Sequence, residues 1–113
     1  METPESSEVD SRRVIVVLPN DRSEDTVIWL AGEHDLSSVD ELVQAIFTAA
    51  GAGRSDVIFD LSYVEFMDST TIDQILAAWT SLGAEGRMAR VRDPSPAARY
   101  LLEICNLTHL VET

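Results

Sequence analysis

The chain has 113 residues, is 45% hydrophobic, and carries twenty Asp and Glu against eight basic residues, a formal net charge of −12. One domain with one core is expected at that length, and the apolar share is that of a folding chain, so a modular enzyme and a wholly disordered protein are both excluded. Every basic residue is an arginine, and the missing amine rules out a Walker phosphate loop, a Schiff-base enzyme and a receiver domain with a switch lysine.

The four arginines from Arg87 to Arg99 make too thin a basic stripe for nucleic acid, while the acidic balance favours a protein partner with a basic face. Cys105 is alone, and His34 and His109 stand far apart with no ligand spacing around them, so neither a disulfide nor a metal or cofactor site is expected. The apolar runs are short and the N-terminus lacks a signal-peptide pattern. The expected setting is the cytoplasm, without direct membrane insertion.

In chain order, Met1–Ser11 is rich in Glu, Ser and Pro and is expected to be a disordered acidic tail, with the domain spanning 12–113. The β-branched runs Val14–Leu18 and Thr26–Leu30 flank a turn-rich segment and predict an antiparallel hairpin. After the loop Gly32-Glu33-His34-Asp35, apolar residues at Val39, Leu42, Val43, Ile46, Phe47 and Ala50 predict a helix, opened by a Ser38/Glu41 capping box and closed by Gly51 and Gly53. Val57–Leu61 reads as an inner strand covered on both faces. A second helix is expected from about Thr71 to Gly83, with Ile72, Ile75, Leu76, Trp79 and Leu82 on one side. Met88–Arg92 predicts a short strand. Ser95-Pro96 predicts the start of a third helix, with Ala97, Leu101, Leu102 and Cys105 inward and Asn106 closing it, before a last turn or strand at His109–Thr113. The order β, β, α, β, α, β, α implies an α/β fold: one small mixed sheet, mostly parallel, with an antiparallel N-terminal strand and helices packed against it.

In such sheets, sites gather at the carboxyl ends of parallel strands. Two segments arrive there, Gly32–Asp35 and Phe66–Thr71. Ser69 would lie at or just before a helix N-terminus, where the backbone tolerates a phosphate. A phosphoserine there would add charge beside Asp68 and Asp35 and block a docking partner without refolding the domain. The plainer alternative is that Asp-Ser-Thr-Thr only caps the helix, with Thr71 and Gln74 as a capping box. Glu33 and Asp35 would then merely decorate a loop and His34 would be an ordinary loop residue. Asp60, at the end of a buried strand, must find donors and is expected to hold a neighbouring loop. Cys105, Trp29 and Trp79 are expected in the core.

Val57-Ile58-Phe59-Asp60-Leu61-Ser62-Tyr63-Val64-Glu65-Phe66-Met67-Asp68-Ser69-Thr70 resembles the signature of STAS domains, the sulfate transporter and anti-sigma factor antagonist family. Gly32-Glu33-His34-Asp35 resembles that family's Gly-Glu-x-Asp loop. The resemblance covers roughly Arg13 to the C-terminus and implies a non-enzymatic switch. A stand-alone STAS domain of this size is similar to bacterial anti-sigma factor antagonists. These bind an anti-sigma factor that is also a serine kinase of the histidine-kinase-like ATPase type, and so free a sigma factor for transcription. The resemblance implies that this kinase, using ATP and Mg²⁺, phosphorylates Ser69, with Thr70 as a second candidate acceptor, and that a phosphatase restores the protein. Glu33, Asp35, Asp68, Ser69, Thr70 and Thr71 are then the expected partner surface. Where the family has Asp-Ser-Ser/Thr-Gly-Leu, this chain has Thr71 in place of the glycine, which is expected to hinder a kinase or change the cognate one. Two other functions compete. One is a structural or regulatory subunit of a membrane transport ATPase complex, since STAS domains also serve transporters. The other, ranked last, is a small nucleotide-binding protein.

Overall fold

The computed structural model describes residues 13–20, 23–52 and 55–112; the expected acidic tail and Gly53 lie outside them. Four strands form one sheet in the order β1-β2-β3-β4: β1 (Arg13–Pro19), β2 (Thr26–His34), β3 (Val57–Met67) and β4 (Ala89–Arg92). β1 is antiparallel to β2, and the two later pairings are parallel. Helix α1 (Val39–Ala52) connects β2 to β3 and α2 (Ser69–Gly83) connects β3 to β4; the two pack against each other, α1 over β1 and β2 and α2 over β3 and β4. The short α3 (Pro96–Ile104) packs mainly on β3. After it, a single turn at Thr108–Leu110 leads into a one-residue parallel bridge between Val111 and Val91. The α/β layout and the mixed sheet agree with the expectation from sequence. Among the described residues no helix is long and apolar enough to cross a membrane.

The core is built from alternate residues of the sheet: Ile28 and Leu30 of β2, Val57, Phe59 and Leu61 of β3, and Val91 of β4, closed by Leu42, Ile75 and Leu102 from the three helices. All are essentially without solvent contact, so removing any one leaves a cavity. Beyond Leu61 the inward positions on β3 become Val64 and Met67. The spacing lengthens because β3 takes seven steps from Asp60 to Met67 while β2 takes five from Trp29 to His34. The two extra residues are bulges, each of which resets the alternation.

Several elements differ from the sequence expectation. β2 and β3 both run past their predicted ends, so Gly32–His34 and Phe66-Met67 are strand rather than loop. Gly32 allows this with φ +86°, in the left-handed region open to a residue without Cβ. Ser38 does not cap α1. It closes a 3₁₀ turn, Leu36–Ser38, whose cap is Asp35. Gly51 lies within α1 instead of ending it. On α1 the buried positions are Leu42, Ala45 and Ala49, while Phe47 is 77% exposed. The close approach of helix and sheet selects the small alanines, and the bulky ring is left outside. Trp79, expected in the core, is 43% exposed and meets His109 edge to face at a centroid distance of 6.3 Å. Trp29 is half-buried against Tyr63. The start of α3 is as expected: Ser95 Oγ accepts from Ala98 N–H, Pro96 occupies the first turn, and Asn106 follows the helix at φ +61°.

Candidate functional site

Parallel pairing brings the carboxyl ends of β2 and β3 together, with His34 opposite Met67. Each strand then leaves the sheet through an aspartate turn of the same construction. Asp35 Oδ1 accepts from Ser37 N–H at 2.9 Å and from the Ser37 hydroxyl. Asp68 Oδ1 accepts from Thr70 N–H at 3.0 Å and from the Thr70 hydroxyl. In both turns the carboxylate stands in for a backbone acceptor that the first turn of a helix lacks. The residue between cap and donor is thereby turned outward: Leu36 in the first turn, 71% exposed, and Ser69 in the second, also exposed. α2 therefore starts at Ser69 under an Asp68 cap, not at Thr71 with a Thr71/Gln74 capping box.

The three successive hydroxyls of the second turn have different fates. Ser69 Oγ is exposed and makes no hydrogen bond to any described residue. The Thr70 hydroxyl donates to Asp68 Oδ1. Thr71 is fully buried, and its hydroxyl donates to the backbone carbonyl of His34 at 3.2 Å. Its side chain therefore points into the protein and, contrary to the expectation from sequence, is not part of the outer surface of the turn.

That His34 carbonyl also accepts Asp68 N–H at 3.2 Å, so the two turns share one acceptor. His34 itself has 0% exposure. Nε2 donates to Ala31 C=O at 2.9 Å, and Nδ1 lies 3.4 Å from Ser38 Oγ, which in turn donates to Asp35 C=O at 3.0 Å. With Nε2 protonated the ring is neutral, and burial holds its pKa below the usual histidine value. His34 is thus a buried post between the turns and not a loop residue. Strand alternation carried the signal: Ile28, Leu30 and Gly32 face inward, and His34 is the next step.

The site's electrostatics are acidic. Hydrogen bonds from the side chain and backbone of Ser37 hold the Asp35 carboxyl below the usual aspartate range. Glu33 is exposed at the end of β2, and Asp68 is half-buried at its cap. Neither Asp35 nor Asp68 makes an ion pair among the described residues. Leu36 and the half-exposed Phe66 add apolar surface at this end.

Asp60 lies one layer back and uses the same turn construction: its Oδ1 accepts from Ser62 N–H at 3.0 Å and Ser62 Oγ at 2.7 Å. Its Oδ2 takes Arg92 Nε at 3.1 Å and Nη2 at 2.8 Å. Burial pushes this carboxyl up, but the hydrogen bonds from Ser62 and Arg92 outweigh it and leave the pKa lowered. The group ties β3 to β4 and is a structural pair. Arg87 and Arg90 are likewise engaged, Arg87 with Glu85 and Ser55 C=O, and Arg90 with Asp25 and Asp56. Three of the four arginines in the stripe, Arg87, Arg90 and Arg92, are thus engaged within the fold, and Arg99 is exposed on α3.

Comparison with known proteins identifies the fold. No curated protein matches the sequence. Among solved structures, an anti-sigma factor antagonist from Mycobacterium paratuberculosis is 28% identical, with a TM-score of 0.73 over 87% of this chain and 83% of that one. The phosphorylated form of the Bacillus cell fate determinant SpoIIAA is 26% identical, with a TM-score of 0.69 over 88% of this chain and 89% of that one. A segment of the much longer SLC26A9 shares the fold at 10% identity, with a TM-score of 0.71 over 94% of this chain and 22% of that one. The family described as Mlab, STAS domain, matches residues 18–112, and the chain, with its paired aspartate turns at the strand ends, belongs to the STAS domain family.

Proposed function

We propose that this protein is an anti-sigma factor antagonist: a non-enzymatic STAS domain that binds an anti-sigma factor with serine-kinase activity, releases a sigma factor, and is switched off by phosphate on Ser69. The observation that carries the reading is the difference among three adjacent hydroxyls, since Ser69 alone is exposed and unbonded. Likeness to two antagonist structures above 25% identity supports the same role.

Glu33, Asp35 and Asp68 supply negative charge that suits a basic partner face, and Leu36 and Phe66 supply apolar anchors beside it. Thr70 serves by holding the cap and Thr71 by holding the turn from within. Kinase-bound ATP would transfer its γ-phosphoryl group to Ser69 Oγ, placing about −1.5 to −2 charges next to Asp68. The fold stays as it is while the docking surface becomes repulsive. A phosphatase resets the switch.

The test is a pull-down from the source cell comparing wild type, Ser69→Ala and Ser69→Asp, followed by intact-mass measurement of the chain incubated with the captured kinase and ATP. The expected result is capture of an anti-sigma factor by wild type and Ser69→Ala, weak capture by Ser69→Asp, and a single phosphate added to wild type only. Equal capture by all three with no phosphate added overturns the reading. The recurrence of the fold inside SLC26A9 supports one other reading, a structural or regulatory subunit of a membrane transport ATPase complex, identified by its own result: co-purification with a membrane protein that ignores Ser69.

A further inference from the structure

We infer that His34 and Thr71 are positioning residues which make the Asp35 turn and the Ser69 turn one mechanical unit, so that a change at Ser69 is transmitted to Asp35. The inference deepens the reading above, because a partner that grips both turns would feel a modification made on one.

The linkage can be traced bond by bond. Asp68 N–H and the Thr71 hydroxyl both donate to the His34 carbonyl at 3.2 Å. Thr71 N–H and Ile72 N–H both return to Asp68 C=O, at 3.1 and 3.3 Å, which fixes the first turn of α2 to the same residue. The His34 carbonyl belongs to the peptide that begins the other turn, where Asp35 C=O accepts Ser38 N–H and the Ser38 hydroxyl, both at 3.0 Å, with the His34 ring packed 3.4 Å from the same Ser38 Oγ. His34, Ser38 and Thr71 are all at 0% exposure, so water does not compete for these bonds. A glycine at position 71 would leave the His34 carbonyl with the Asp68 amide alone. The branched threonine therefore adds a second tie, made from inside the domain and leaving the outer surface unchanged.

The experiment uses the whole chain and two probes. Thr71→Ser keeps the hydroxyl, and Thr71→Val keeps the shape without it. Amide hydrogen exchange and amide chemical shifts are measured for each, with and without Ser69→Asp. In wild type and Thr71→Ser, Ser69→Asp is expected to shift the amides of Ser37 and Ser38 as well as those of Thr70 and Thr71. In Thr71→Val the shift at Ser37 and Ser38 is expected to shrink, because only the Asp68 amide still reaches the His34 carbonyl, and exchange at Asp68 and Ser38 to rise roughly fivefold, the scale of one lost hydrogen bond, with Phe59 and Val91 unchanged. An undiminished shift at Ser37 and Ser38 in Thr71→Val overturns the inference. So does an equal rise in exchange at Phe59 and Val91, which would make Thr71 a general core residue. No partner enters these measurements, so failure of the antagonist reading, seen in the pull-down, is separate from failure of this one.

Discussion

The two ends of the sheet treat their acidic residues in opposite ways. At the amino ends of β2 and β3, Asp25 and Asp56 accept from backbone amides and pair with Arg90, at 3.0 and 3.5 Å. In the middle, Asp60 is held by Arg92. At the carboxyl ends, Asp35 and Asp68 are held by hydroxyls and amides, with no ion pair among the described residues. Arg90 and Arg92 are placed where strands need joining, whereas at the carboxyl ends Arg13 engages Ser37 and Glu41 and leaves Asp35 and Asp68 without a direct ion pair among the described residues. A carboxylate that is capped but not neutralised can hold a turn and still project its field to a partner.

That contrast can be broken at either end. The largest effect is expected from Arg92→Met, which strands the Asp60 carboxylate at 8% exposure. Because the arginine is itself partly exposed, the loss should fall near the low end of the range for broken buried pairs, about 3 kcal/mol, read from the urea midpoint; the double change Asp60→Leu with Arg92→Met should recover most of it. Next is Asp68→Ala, which removes the α2 cap and should cost about 1 kcal/mol, while Asp68→Asn keeps most of the stability because an amide oxygen also caps.

A third expectation concerns pH. The folded His34 has a lowered pKa, so below about 6.5 the unfolded chain binds a proton that the folded chain refuses. Stability is therefore full above that pH and declines as pH falls through it. Asp60, also lowered, adds a second decline below its ordinary value of 3.8. Urea melts between pH 7.5 and 5 should show the first decline in wild type and a flatter profile in His34→Gln. The smallest effect is expected from Ser69→Ala, within about 0.5 kcal/mol of wild type, since that hydroxyl supports nothing in the fold. A larger loss in thermal melts would mean that Ser69 is structural.

What could be foreseen from sequence was what local chemistry decides. Ser95-Pro96 announces a helix start because cap and first turn lie within four residues, and the Val/Ile runs of β1 and β2 announce strands because their branching suits a pleated surface. The ends of β2 and β3 were hidden. Gly32 looks like a turn until its positive φ is seen to sit inside a strand, and the bulges after Asp60 break the alternation by which a strand is recognised. The Asp35 cap was missed because Ser38 and Glu41 make a good capping pair on paper, while an intervening 3₁₀ turn gives the cap to the aspartate three residues earlier. His34 was placed in a loop among its acidic neighbours, and only the register of β2 buries it. Which of three hydroxyls remains available was not legible either, since it depends on contacts 37 residues apart in sequence, between Thr71 and His34.

The shared construction of the aspartate turns has an evolutionary consequence. In Asp35-Leu36-Ser37 and Asp68-Ser69-Thr70 the side chains of the outer residues carry the hydrogen bonds of the turn and the middle side chain carries none. Scaffold and display are thus encoded at separate positions. One turn shows an oily side chain and the other an alcohol, on supports that are otherwise alike. Mutation can exchange what is shown without disturbing what holds it, so duplicated copies of such a gene are free to diverge in partner and in regulation while keeping one fold.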